Sequence, residues 1–157
     1  MEYSLEFSER LIESAEALLT QEQEKQEASR AILYLSCLSC EVSLKAVLES
    51  VGFSVKHLKR RSHRLDLLIE DVCICRFIDT GFPATAIRAK EVMLKMSNNT
   101  IGALLVSHIS ECSVYPNQIR YGELVKHYPS NVMLECAKIV NAWCRHNEHN
   151  LQCSTCP

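Results

Sequence analysis

Residues 28–51 constrain this chain more than any other stretch, because they form a long apolar run that reads as one unbroken helix. Wrapped at roughly 100° per residue, they carry two apolar stripes on opposite faces. Leu33, Cys37, Cys40, Leu44, Val47 and Val51 make one stripe, and Ala31, Leu35, Leu38, Val42 and Ala46 make the other. A helix apolar on both sides needs neighbours on both sides, which makes it the central rod of a bundle. Ser36, Ser39, Ser43 and Ser50 fill one seam with small side chains that permit close approach, while Tyr34, Glu41 and Lys45 line the other.

The remaining chain supplies the neighbours. An amphipathic helix is expected over residues 5–20, with Ser4 as its N-cap, followed by a polar link at residues 21–27. A further helix is expected to open near Ser62, carrying Leu65, Leu68, Ile69 and Val72 inward. Asp79-Thr80-Gly81-Phe82-Pro83 is a stop, after which residues 84–96 and 101–109 read as helical. Residues 111–128 are less regular. Pro129-Ser130-Asn131 starts a last helix with Met133, Cys136, Ala137, Val140 and Trp143 packing inward. No stretch reads as a strand. The expectation is an all-α fold, an antiparallel helical bundle of five to six helices, in one domain over residues 1–146. Residues 147–157 are expected as a polar, loose, cysteine-containing tail.

Composition narrows the function classes. With 157 residues and only four glycines and four prolines, the chain suits one domain of long helices. A net charge of −2 leaves no overall pull toward nucleic acid or anionic membrane, so any such role needs a local patch. Glu41, Lys45 and Glu49 interrupt the most apolar run, arguing against a membrane span, and the acidic N-terminus is unlike a secretory signal. The expected location is cytoplasmic, with the nine cysteines reduced. Cys37 and Cys40 have redox-motif spacing but fall mid-helix, away from the helix N-terminus that would activate a thiol, so packing is the expected role. Cys144, His146, His149, Cys153 and Cys156 are zinc-ligand types at close spacing. A metal-free tail is the expectation, and no Glu-x-x-His pair offers a di-iron site. No cofactor is called for.

Two constellations carry chemistry. Lys56, His57, Lys59, Arg60, Arg61, His63 and Arg64 form a dense cationic run beside Gly52-Phe53. If a helix begins there, its N–H groups and these side chains can converge on a phosphate of nucleotide or RNA. The alternative is a solvated loop offset by Asp66, Glu70 and Asp71. Glu41 and Lys45, four apart on a half-hidden seam, form an ion pair that sets register or seals a dimer seam rather than catalysing.

The apolar helix holding Glu41 and Lys45, then glycine, basic residues, and His63 ahead of Leu65, Leu67 and Leu68 together resemble the HEPN superfamily. Ile119-Arg120-Tyr121-Gly122, followed by Tyr128-Pro129-Ser130 and a closing helix, is similar to that family's arginine–tyrosine element and final helix. The resemblance spans residues 29–145. It implies a small antiparallel bundle, often a homodimer, frequently paired with a minimal nucleotidyltransferase in toxin–antitoxin fashion. Members bind nucleotide or cleave RNA. The RNA-cleaving branch carries an arginine, four to six residues, then a histidine, and Arg120 and His127 match that spacing. The resemblance then implies a metal-independent ribonuclease in which His127 moves the proton and Arg120 stabilises the phosphorane. Three readings stand: a binding module using the basic cluster, a ribonuclease using Arg120 and His127, and a structural or regulatory dimeric bundle.

Overall fold

The computed structural model describes residues 1–20, 26–78, 86–88, 119, 121 and 130–153. Among them are five helices: α1 (Leu5–Thr20), α2 (Gln26–Ser50), α3 (Val55–Arg61), α4 (Leu65–Ile74) and α5 (Ser130–Asn147). The fold is an all-α helical bundle with α2 at its centre.

In α1, the Phe7 N–H donates to Ser4 Oγ at 3.2 Å, which is the expected cap. Leu5, Ser8, Leu11, Ile12 and Ala15 then fall at helical spacing on one buried face. Residues 39–48 of α2 are buried without exception, all the way round the helix. By length and composition Glu27–Ser50 could cross a membrane, but 78% of its most apolar window is covered by the rest of the bundle. Gly52, at φ 101°, ends the rod in a left-handed turn. There the Phe53 N–H donates to the Leu48 carbonyl at 3.0 Å and the Gly52 N–H to Glu49 at 3.1 Å. These are the paired bonds that close a helix through a glycine.

The sense of the rods follows from pairs of contacts. Glu49 accepts from the N–H groups of Glu2 and Tyr3, and Ser8 meets Ser39 and Ser43, so α1 runs antiparallel to α2. Arg145 pairs with Glu9 and Lys138 with Glu16, so α1 is antiparallel to α5 as well. Cys40 meets Cys136 and Ser43 meets Asn141, giving α2 and α5 the same sense. Ile32, Leu33, Leu44, Leu48, Leu58, Leu65, Leu68 and Met133 are the largest fully buried side chains.

Three expectations need correction. The helix expected near Ser62 is α4, which opens after Arg64 with Leu65, Leu68, Ile69 and Val72 buried, but the basic run ahead of it was not expected to be a helix of its own. That run is itself helical, with Ser54 Oγ accepting from the His57 N–H at 3.2 Å as the N-cap. Ser62 closes α3 at φ 51°, its N–H bonded to the Lys59 carbonyl. Fully buried Leu58 explains this extra helix, since a helix over residues 55–61 drives that side chain into the core. Residues 84–96 were expected as a helix, yet Ala86–Arg88 forms strand β2 against β1 (Arg76–Ile78). The tail is also not loose throughout. α5 continues to Asn147, and Leu151–Gln152 forms β3, antiparallel to β1, with Leu151 buried. The sheet order is β2-β1-β3, with Phe77 opposite Ile87 on one side and Leu151 on the other. β-Branched and aromatic residues in short runs accept strand geometry when partners complete their backbone hydrogen bonds.

Candidate functional site

α3 is anchored by Leu58 and sorts its basic residues into two sets. One set turns inward onto carboxylates. Asp71, on α4 and almost fully buried, accepts from Arg61 Nε at 2.8 Å and Nη2 at 2.6 Å, and lies 2.9 Å from His57 Nε2. This bidentate fork is the geometry that makes arginine–carboxylate pairs directional, and the Asp71 bond pushes the Arg61 guanidinium above its ordinary value. The His57 ring also tilts against Phe53, with centroids 5.3 Å apart. His63 places Nδ1 2.9 Å from Glu41 Oε2, while the other Glu41 oxygen accepts from Lys45 Nζ at 2.7 Å. Lys45 in turn sits 5.3 Å from the centre of the Tyr3 ring. The Glu41–Lys45 pair is therefore buried, 7% and 6% exposed, at the heart of the bundle and shared with the half-exposed His63. These contacts stitch α2 to the turn between α3 and α4.

The other set faces solvent. Lys56 and Arg60 are exposed and make no ion pair among the described residues. Lys59 meets Glu2 at 2.9 Å with 61% of its side chain exposed, and that bond raises its pKa. Arg64 forks onto Asp66, and the same bond holds the Asp66 carboxyl below the usual carboxylate range. Four cations thus share one short helix and its following turn, against two rim carboxylates. Lys59, Arg60 and Arg61 occupy the last turn, where cations complement the negative end of the helix dipole. Lys56 lies in the first turn of α3, and Arg64 stands at the start of α4 as its N-cap.

Arg120 and His127 lie outside the described residues. Ile119, which precedes Arg120 in the chain, is buried, and its carbonyl accepts from Arg30 Nε at 3.2 Å and Nη2 at 2.9 Å. Glu27, Arg30, Ala31, Tyr34, Leu35 and Ile119 line an open groove of about 490 Å³ there. Nothing in the sequence reading singled this groove out. Its signal was a lone arginine at the start of an otherwise apolar helix. Arg30 and Glu41 are eleven positions apart on α2, roughly 16 Å at 1.5 Å per residue. The two candidate sites are therefore separate places on the bundle.

The cysteines of α2 and α5 form a thiol cluster in the core. Cys37, Cys40, Cys136 and Cys144 are all buried, and the Cys136 hydrogen bond together with burial pushes the Cys40 thiol well up. Burial does the same to Cys144. Thiols so hard to ionise pack rather than react. Of the tail donors, Cys144 belongs to this core while His149 is 89% exposed, so the two do not share a centre. Across the serine seam, Ser8 Oγ lies 2.7 Å from Ser39 Oγ and 2.6 Å from Ser43 Oγ. Asn141 Nδ2 donates to Ser43 Oγ and to the Leu5 carbonyl. The small residues read as permitting close approach thus also carry a buried polar network between three helices.

Comparison of the chain with family models, with curated proteins and with solved structures finds no match.

Proposed function

We propose that this chain is a HEPN-like binding module that engages RNA through the outward cations of α3. The observation that carries the reading is the division of the basic run. Arg61, His57 and His63 are committed to buried carboxylates, which holds the helix still, while Lys56, Lys59, Arg60 and Arg64 remain at the surface. A fixed array of exposed cations suits a repeating phosphate backbone. A single nucleotide asks for a pocket, and the groove among the described residues lies on α2 instead. The same resemblance makes a cytoplasmic homodimer and a minimal nucleotidyltransferase partner part of the reading.

Filter binding of single-stranded RNA at several salt concentrations tests it. Lys56→Glu with Arg60→Glu should weaken binding at least tenfold. Each lost phosphate contact lowers the salt slope by about 0.7, or roughly 1.4 for the pair. Unchanged affinity and slope, with helicity retained, would remove the site.

A second reading has its own support. Ile119 pins the chain beside Arg120 to the groove on α2, which makes a ribonuclease using Arg120 and His127 the alternative. Cleavage of RNA in EDTA that disappears in His127→Ala would favour it over binding alone.

A further inference from the structure

The register of the small sheet brings together two cysteines that are far apart in the chain. β1 and β3 pair antiparallel with Phe77 opposite Leu151 and Arg76 opposite Gln152. One more step along that register sets Cys75 opposite Cys153. Cys75, the C-cap of α4, is already extended, at φ −65° and ψ 156°, so its backbone leads directly into β1. Directly opposed residues of an antiparallel pair have Cα atoms about 4.5 or 5.5 Å apart, depending on their hydrogen bonding. Both separations fall inside the window a disulfide requires, about 4.4–6.8 Å. The faces agree as well. Leu151 is buried, Gln152 exposed and Cys153 half-buried against the core, so Cys153 shares the inward face. Cys75 is 1% exposed and packs in the same core, its thiol donating to the Asp71 carbonyl at 3.3 Å.

We infer that Cys75 and Cys153 are a redox-sensitive thiol pair that closes into a cross-strand disulfide and clasps the C-terminal strand to the end of α4. The oxidant is a low-molecular-weight disulfide of the glutathione class. The better exposed Cys153 thiolate attacks one sulfur of that disulfide, forming a mixed disulfide and releasing one small thiolate. The Cys75 thiolate then attacks the Cys153 sulfur and releases the second. The protein gives up two electrons and two protons, and the small disulfide becomes two thiols. The clasp acts on the same helix whose Asp71 holds Arg61 and His57, so it tightens the support beneath α3. It does not depend on RNA binding.

Oxidised glutathione added to the folded, full-length protein tests the inference by peptide mapping. Trypsin releases residues 65–76 and 146–157, and each fragment also holds a second cysteine, Cys73 or Cys156. Variants therefore decide. The two fragments should appear joined, with the loss of two hydrogens, in the wild type and in Cys73→Ser/Cys156→Ser, and separate in Cys153→Ser. The clasp closes a loop of about 80 residues, so the melting temperature of the oxidised double variant should rise by roughly 10 °C and fall back with dithiothreitol. Persistence of the link in Cys153→Ser at wild-type yield would overturn the pairing. So would its absence in Cys73→Ser/Cys156→Ser, or a fall in melting temperature on oxidation.

Discussion

Glu41→Gln is the substitution that most directly probes how the bundle is held together. In the wild type the carboxylate accepts from Lys45 Nζ at 2.7 Å and faces His63 Nδ1 at 2.9 Å. Glutamine preserves the shape and one accepting oxygen, but leaves the Lys45 ammonium in the core with no neutralising charge. Removing one partner of a buried pair costs about 3–5 kcal/mol, because the survivor stays desolvated. His63, half exposed, recovers most of its loss through water and adds little. In a domain of this size each kcal/mol moves the melting temperature about 2–4 °C, so a drop of roughly 6–20 °C is expected. The partner experiment is Glu41→Leu with Lys45→Met. Removing both charges and filling the space with apolar atoms should return stability to within about 2 kcal/mol of wild type, or above it. Urea and thermal unfolding at neutral pH measure both. If Glu41→Gln melts within 2 °C of wild type, or the double variant is as unstable as the single, Lys45 is not a buried charge that depends on Glu41 and the reasoning is wrong.

Asp71→Asn should cost about 2–3 kcal/mol, less than a fully buried pair because Arg61 is 27% exposed, and should speed hydrogen exchange in α3 more than in α1 or α5. Equal acceleration everywhere would mean that Asp71 does not anchor α3 in particular. Alkylation of the native protein at mildly alkaline pH should reach Cys153 and Cys73 well before Cys40, held protonated by its Cys136 hydrogen bond and burial, and Cys144, held protonated by burial. Comparable rates would show that the thiol cluster is open to solvent. Asp66 has its pKa lowered by Arg64, so its stabilising contribution is complete above the ordinary value of 3.8 and is lost as pH falls through the lower folded value. Asp66→Asn should therefore lower stability at neutral pH by that contribution, flatten the acid limb of the stability curve, and converge with wild type at low pH. An acid limb identical to wild type would contradict the pairing.

Most of the helical frame was legible because its signals are local. The two apolar stripes of residues 28–51, the Ser4 cap of α1 and the inward face of α5 each rest on spacing within one helix; the first stripe is buried up to Val47 and the α5 face throughout, while Ala31, Leu35 and Leu38 of the second stripe are half-buried. The candidate site was legible only in part. The cationic run stood out, but its geometry did not, since Ser54 and Ser62 are both chemically able to cap a helix. Ser54 caps α3, which carries Leu58 into the core, while Ser62 closes that helix and α4 opens separately after Arg64. The acidic neighbours Asp66, Glu70 and Asp71 were visible as possible counter-charges. That Asp71 takes Arg61 and His57 together depends on how α4 packs beneath α3. The sheet was missed because Arg76–Ile78, Ala86–Arg88 and Leu151–Gln152 are too short to show a period of two, and the partners of β1 come from distant parts of the chain.

By itself the order of residues along this chain determined a central rod apolar on both sides, its flanking amphipathic helices and the presence of a dense positive run. Those follow from periodicities of three to four residues, which neighbouring side chains impose on each other without help from elsewhere. Tertiary structure alone decided which basic residues turn inward, which carboxylates receive them, and that Cys75 and Cys153 lie beside the ends of two adjoining strands. Such pairings join groups about 10 to 80 positions apart, and only the burial of shared apolar surface selects among the many that charge and valence would allow.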